Sequence, residues 1–143
     1  EVMPEVEQDN EIEIDEKEIV TFKCPILGFD DFKEFIVLID ESIGENFAWL
    51  QSVEESELCF TLANPKLIGD DYKPHINDDY MNAVGGSYDE MWLIAVISEK
   101  VSDSKVNLKS PIIINTKEKL GAQAISESPL PIRYQLFAGK ESV

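Results

Sequence analysis

Histidine, cysteine and closely spaced carboxylates carry most acid–base, nucleophilic and metal chemistry, and this chain supplies one histidine, two cysteines and 29 acidic residues. His75 follows Pro74 in a polar stretch. A lone imidazole needs a positioned nucleophile to act as a general base, and no serine here sits in a G-x-S-x-G arrangement. Cys24 and Cys59 lie 35 positions apart without a C-x-x-C neighbour, so with one histidine they match no zinc-ligand spacing. His75 is therefore expected on a surface loop, and both cysteines as buried free thiols. Gly85-Gly86 lacks the flanking glycines and lysine of a phosphate loop, and its acidic surroundings have the wrong sign for phosphate; it reads as a turn. Asp70-Asp71 and Asp78-Asp79 do not fall in the D-x-[DN]-x-[DN]-G pattern of a calcium loop. A glycosidase-like acid pair stays open as an alternative chemistry, since nothing selects two of the 29 acids for that role. No catalytic residue, cofactor or metal site is assigned.

The carboxylates matter more as a field than as pairs. Against 12 basic residues they leave a net charge of -17 over 143 residues. Residues 1–18 carry nine acids and one lysine, and residues 19–90 carry 15 acids and four lysines. Residues 91–143 reverse the balance, with five acids and seven bases. Such a chain repels nucleic acid and anionic lipid and attracts basic proteins. Acidity also keeps a protein soluble and monomeric, which is the plainer reading of the same numbers. Arg133 is the sole arginine, and Lys100, Lys105, Lys109, Lys117 and Lys119 are read as solubilising turn and edge residues.

The elements that must present these charges are mostly strands. One domain is expected at this length, with 43% apolar residues to fill its core. The longest apolar run, Met91–Ile97, is too short to span a membrane, and the acidic amino terminus has no signal-peptide character, so a cytoplasmic protein is expected. Residues 1–10 read as a flexible acidic tail, 11–138 as the folded domain and 139–143 as a C-terminal tail. Ile12 and Ile14 alternate with acids as a short edge strand. Strands are expected in Ile19–Cys24, Phe35–Ile39, Phe47–Val53, Leu58–Ala63, Met91–Ile97, Pro111–Asn115, Leu120–Ile125 and Ile132–Phe137. Asn64 to Gly86 is mostly loop, with two helical turns at Asp78–Val84 capped by an aspartate and stopped by Gly85. Met91–Ile97 and Ile112–Ile114 are apolar on both faces, so something covers the second face. The expected fold is mainly β: a small antiparallel β-barrel-like single domain with at most one or two short helices.

Several segments together resemble one family. Phe22-Lys23-Cys24-Pro25-Ile26-Leu27-Gly28-Phe29 is followed by Phe47-Ala48-Trp49-Leu50-Gln51-Ser52, then Asn64-Pro65, Asp71-Tyr72 and Pro74. Val106-Asn107-Leu108-Lys109-Ser110-Pro111-Ile112-Ile113-Ile114-Asn115, Gly121-Ala122-Gln123 and Pro131-Ile132-Arg133 complete the series. This pattern, over about residues 18–136, resembles the flagellar assembly factor FliW family, with Leu130 where the family often has tyrosine. The resemblance implies a non-enzymatic antagonist on a β-barrel-like fold. It implies binding to the RNA-binding translational repressor CsrA, relief of its repression of flagellin mRNA, and binding to flagellin in a partner switch. An acid-pair hydrolase and a structural flagellar component are the competing readings.

The residues then divide by expected role. Pro25 to Phe29, Gly28 included, is expected to be a strand-ending turn with core anchors, with a partner contact as the alternative. Phe47, Trp49 and Leu50 are expected in the barrel core, with Gln51 satisfying backbone groups beside Ser52. Asn107 and Asn115 are expected to cap turns around Leu108 and Pro111, and Gln123 belongs to the same structural set. Partner contacts are expected from Asp70, Asp71, Tyr72, Asp78, Asp79 and Tyr80 in the long loop.

Overall fold

Short apolar runs punctuated by turn residues form nine strands in the computed structural model, which describes residues 18–39, 42, 45–100 and 103–136. They are β1 (Val20–Cys24), β2 (Glu34–Leu38), β3 (Phe47–Ser52), β4 (Cys59–Ala63), β5 (Glu90–Val96), β6 (Lys105–Val106), β7 (Ile112–Asn115), β8 (Leu120–Gln123) and β9 (Tyr134–Gln135). One helix, α1 (Asp78–Ala83), and a 3-10 turn at Pro65–Leu67 interrupt the long loop. The edge strand expected around Ile12 and Ile14, and both tails, lie outside the described residues. The two-residue β6 was not expected from the sequence, and β9 is shorter than the Ile132–Phe137 run suggested.

The ring runs β4-β3-β2-β1-β8-β7-β5 and closes through a β4–β5 pairing, while β6 and β9 extend from β5 outside it. Seven strands cannot alternate direction all the way round a closed ring, so an odd count forces at least one parallel pair. That pair is β1–β8, with Thr21 opposite Leu120 and a register shift between Phe22 and Cys24. The remaining ring pairings are antiparallel, as expected. At the seam Gly121 lies under the Phe22 ring: a Cβ there would sit 2.9 Å from Phe22 Cε1 and 3.0 Å from Val20 Cγ1.

Apolar side chains collect in three places. The barrel interior holds Phe22, Phe35, Leu50, Leu62, Trp92, Ile112 and Ile114, with Phe22 and Phe35 edge-to-face at 5.2 Å. Outside the ring, Ala63, Leu93 and Ala95 are covered by Leu67, Tyr72, Leu136 and their neighbours. On another outer face Ile113 and Ala122 are covered by Tyr80 and Val84 of the α1 region. The doubly apolar runs are thereby explained: Leu93 faces out while Trp92 and Ile94 face in, and Ile113 faces out between two inward isoleucines.

Strand alternation corrects two expectations. Along β3, Ala48, Leu50 and Ser52 are buried while Phe47, Trp49 and Gln51 are only half-buried. Leu50 is therefore core, Phe47 packs on the second cluster, and Trp49 stands on the outer face opposite Leu38 and Thr61. Because the side-chain period of a strand is two, Trp49 and Leu50 cannot share a face. Cys59, opposite Gln51 on that same outer face, is exposed and Cys24 half-buried; both are free, but neither is fully buried.

The polar members of the motifs hold turns. Gln51 Nε2 donates to the carbonyls of Ser52, Ser56 and Leu58, and Ser52 Oγ accepts from the amides of Glu54 and Glu55. Asn107 Oδ1 accepts from the amides of Lys109 and Ser110, just ahead of buried Pro111. Asn115 Oδ1 does the same for Lys117 and Glu118, while its Nδ2 donates to Val84 O at 2.9 Å. Gln123 Oε1 accepts from Leu27 N at 2.7 Å and so ties down the turn where Pro25 and Gly28 (φ 91°) reverse the chain. Ile26 and Phe29 of this turn reach the interior, as expected, whereas Leu27 is exposed. Lys109, expected to be solubilising, instead donates its ammonium to the carbonyls of Ser126 and Ser128.

Gly121→Ala separates space from propensity. Removing a glycine from a strand ordinarily stabilises by about 0.4–1 kcal/mol through the unfolded chain. Here the new methyl meets a ring already packed, which costs about 1–3 kcal/mol. A net loss of stability is expected in chemical denaturation, and a gain would show that the seam has room to spare.

Candidate functional site

The loop between β4 and β5 earns its shape from a few anchors. Asn64 accepts from Lys66 N and starts the Pro65–Leu67 turn. Leu67 and Ile68 then pack on the second outer cluster. Tyr72 N donates to Gly69 O at 3.2 Å, which places Asp70 and Asp71 at the two central positions of a tight turn entered through Gly69 (φ 120°). Both aspartates are exposed. Tyr72 turns inward, and its hydroxyl donates to Leu108 O at 2.6 Å. Burial pushes its phenol well above the ordinary value of 10.0, with Tyr88 a lesser cause.

Further along, His75 N donates to the Oγ of buried Ser126 at 3.1 Å, and the exposed His75 ring lies 3.7 Å from Glu127. Ile76 enters the third cluster. Asn77 caps α1 by accepting from Asp79 N at 2.8 Å, and its Nδ2 donates to Glu127 at 2.8 Å. The expected aspartate cap is thus an asparagine one residue earlier, because its amide oxygen reaches the second amide of the helix. Asp78 and Asp79 occupy the exposed first turn, where the helix dipole favours negative charge. Tyr80 is half-buried in the third cluster. Gly85 (φ 94°) follows the helix, and the Gly85-Gly86 pair is the expected turn.

The six residues singled out in the sequence therefore divide in two. Asp70, Asp71, Asp78 and Asp79 point to solvent, whereas Tyr72 and Tyr80 are the fasteners that hold the segments displaying them. The result is two exposed aspartate pairs, each beside a tyrosine packed on a different outer cluster of the barrel, and each suited to electrostatic contact with a cationic surface. Among the described residues two carboxylates have clear shifts, and both go down. Backbone amides of Glu34 and Lys33 hold Glu54 low, and Thr116 does the same for Asp89 through its hydroxyl and amide. Among the described residues, no group of three or more His, Cys, Asp or Glu is disposed to hold a metal. No helix of the described residues is long and apolar enough to cross a membrane.

Sequence reasoning did not single out the exposed apolar side chains Val96, Ile97, Ile125 and Ile132, and reached exposed Leu27 only through the alternative given for its turn. Each fell within a run or turn assigned to strands and core, and hydropathy alone does not mark where such a run leaves the barrel.

Comparison with known proteins adds an independent line. The sequence model of a family described as FliW protein matches residues 5–136. The chain is 34% identical over 136 residues to the flagellar assembly factor FliW of Caldicellulosiruptor saccharolyticus, covering 92% of this chain and 88% of that one. It is 38% identical over 119 residues to the protein of the same name from Leptospira biflexa, covering 80% and 77%. A crystal structure of the flagellar assembly factor FliW superposes with a TM-score of 0.79 at 30% identity, covering 87% of this chain and 89% of that one.

Tyr72→Phe tests the frame. It leaves Leu108 O without its partner and is expected to cost about 1–2 kcal/mol in chemical denaturation. A raised phenol stabilises the fold fully at pH below its unfolded value and loses that contribution as pH rises above it. Alkaline titration by phenolate absorbance should therefore show one tyrosine that ionises late or only on unfolding, absent in Tyr72→Phe. Ordinary titration of all four tyrosines in the wild type would remove Tyr72 from this role.

Proposed function

The chain belongs to the FliW family of flagellar assembly factors, and from that premise we propose that it is a protein antagonist that performs no chemistry of its own. In this reading it works in the cytoplasm as a monomer. It binds the basic RNA-binding repressor CsrA, relieves repression of flagellin mRNA, and exchanges CsrA for flagellin. The observation that carries the reading is the display of Asp70, Asp71, Asp78 and Asp79 on a segment braced by Tyr72, Asn77 and Tyr80. A surface with a preset shape loses little ordering entropy on docking, and its charge steers a cationic partner.

Antagonism then follows from charge as well as contact. A body of net charge -17 held beside an RNA-binding face opposes the approach of phosphates without covering that face. The effect is short-ranged, because the Debye length is about 8 Å at physiological salt. An acid-pair hydrolase would need a carboxyl held protonated by its surroundings.

Titrating RNA onto the repressor with and without this protein, at two salt concentrations, tests the mechanism. The expected outcome is non-competitive inhibition that weakens as salt rises; simple competition indifferent to salt would sink the electrostatic part. Reversing Asp70 and Asp71 to lysine is expected to slow association with the repressor by about tenfold at low salt. Stability should change by less than about 0.5 kcal/mol, since both side chains are exposed. Unchanged association would remove this loop from the interface.

A further inference from the structure

The acidic loop leaves a second surface unexplained. Leu27, Val96, Ile97 and Ile125 are exposed where β1, β5 and β8 finish, which is one and the same end of the barrel. Beside the end of β5 lies a groove of about 440 Å³. Ile94, Val96, Val106 and Ile132 line it, and Lys105 and Arg133 complete its wall. Val96 is 67% and Ile132 60% exposed, so apolar surface faces water on both sides of the groove. The volume falls within the ~300–1,000 Å³ range of sites that enclose small ligands or a few side chains.

The two cations are the second observation. Among the described residues the ion pairs are His75–Glu127 and Lys119–Glu18, so Lys105 and Arg133, like most of the lysines, meet no described carboxylate; what sets these two apart is that both stand in the wall of an apolar groove. Both lie in the stretch of the chain, residues 91–143, whose balance is positive. We propose that this groove docks a segment of a protein partner that presents aliphatic side chains flanked by carboxylates. Aliphatic groups leave water against Val96, Val106 and Ile132, and a carboxylate meets the planar fork of the Arg133 guanidinium. This preference is opposite in sign to that of the acidic loop, and the inference stands whether or not the loop binds the repressor.

A short blocked peptide alternating glutamate and leucine is the probe, followed through the methyl NMR signals of the whole chain. Its titration should move the Val96 and Ile132 methyls. A peptide alternating glutamate and serine should not move them, since it lacks the aliphatic groups. Arg133→Glu, at an exposed position where the fold is expected to survive, should weaken binding of the glutamate–leucine peptide about tenfold or more. Absent shifts at Val96 and Ile132, equal binding of the serine peptide, or undiminished binding to Arg133→Glu would each overturn the proposal.

Discussion

Closure of the ring is the constraint from which the rest of this structure follows. Seven strands joined edge to edge leave no exposed ring edge, but the odd number obliges β1 and β8 to run parallel. Parallel neighbours cannot be joined by a hairpin, and here nearly the whole described chain lies between them. The seam therefore forms only when both ends of the domain are in place. Its tightness rests on Gly121, whose missing side chain lets the Phe22 ring cross directly over the backbone. The same ring meets Phe35, so the closing contact is part of the interior core and not a separate clasp.

A closed ring has an outer surface as well as a core, and two parts of it are too apolar to face water. The segments that cover them are the ones that carry the candidate functional groups. The Leu67–Tyr72 stretch lies on Ala63, Leu93 and Ala95, and the α1 region lies on Ile113 and Ala122. Burial of one side of each segment fixes the position of the other, which explains why exposed aspartates are found beside buried tyrosines. The polar residues of the family-like motifs perform the complementary task. Gln51, Asn107, Asn115 and Gln123 satisfy backbone groups at turns, so these positions serve the fold.

Two surfaces of unlike character emerge. One comprises the exposed aspartates on their braced segments; the other is an apolar groove near the end of β5 whose Lys105 and Arg133 meet no carboxylate among the described residues. Surfaces that prefer opposite charge gain discrimination, because each repels the ligand of the other. The overall charge of -17 works on approach, and local composition decides docking at distances below the screening length.

All the strands but β6, the long loop, the two turns of helix and the acidic character were legible in the sequence, because alternation, turn residues and formal charge are local properties. Which side chain faces the core was legible only in part. Trp49 and Leu50 are adjacent and both apolar, and nothing local tells which one enters the ring; pairing of β3 with β2 and β4 decides it. The helix cap moved by one residue for a similarly small geometric reason. Parallel pairing of β1 and β8, the inward turn of Tyr72, the structural use of Lys109 and the lining of one groove by both Lys105 and Arg133 are non-local. The sequence by itself determined what kinds of surface and core this protein has. Only the tertiary structure decided which residues share them, because such juxtapositions exist only once strands distant in the chain have closed the ring.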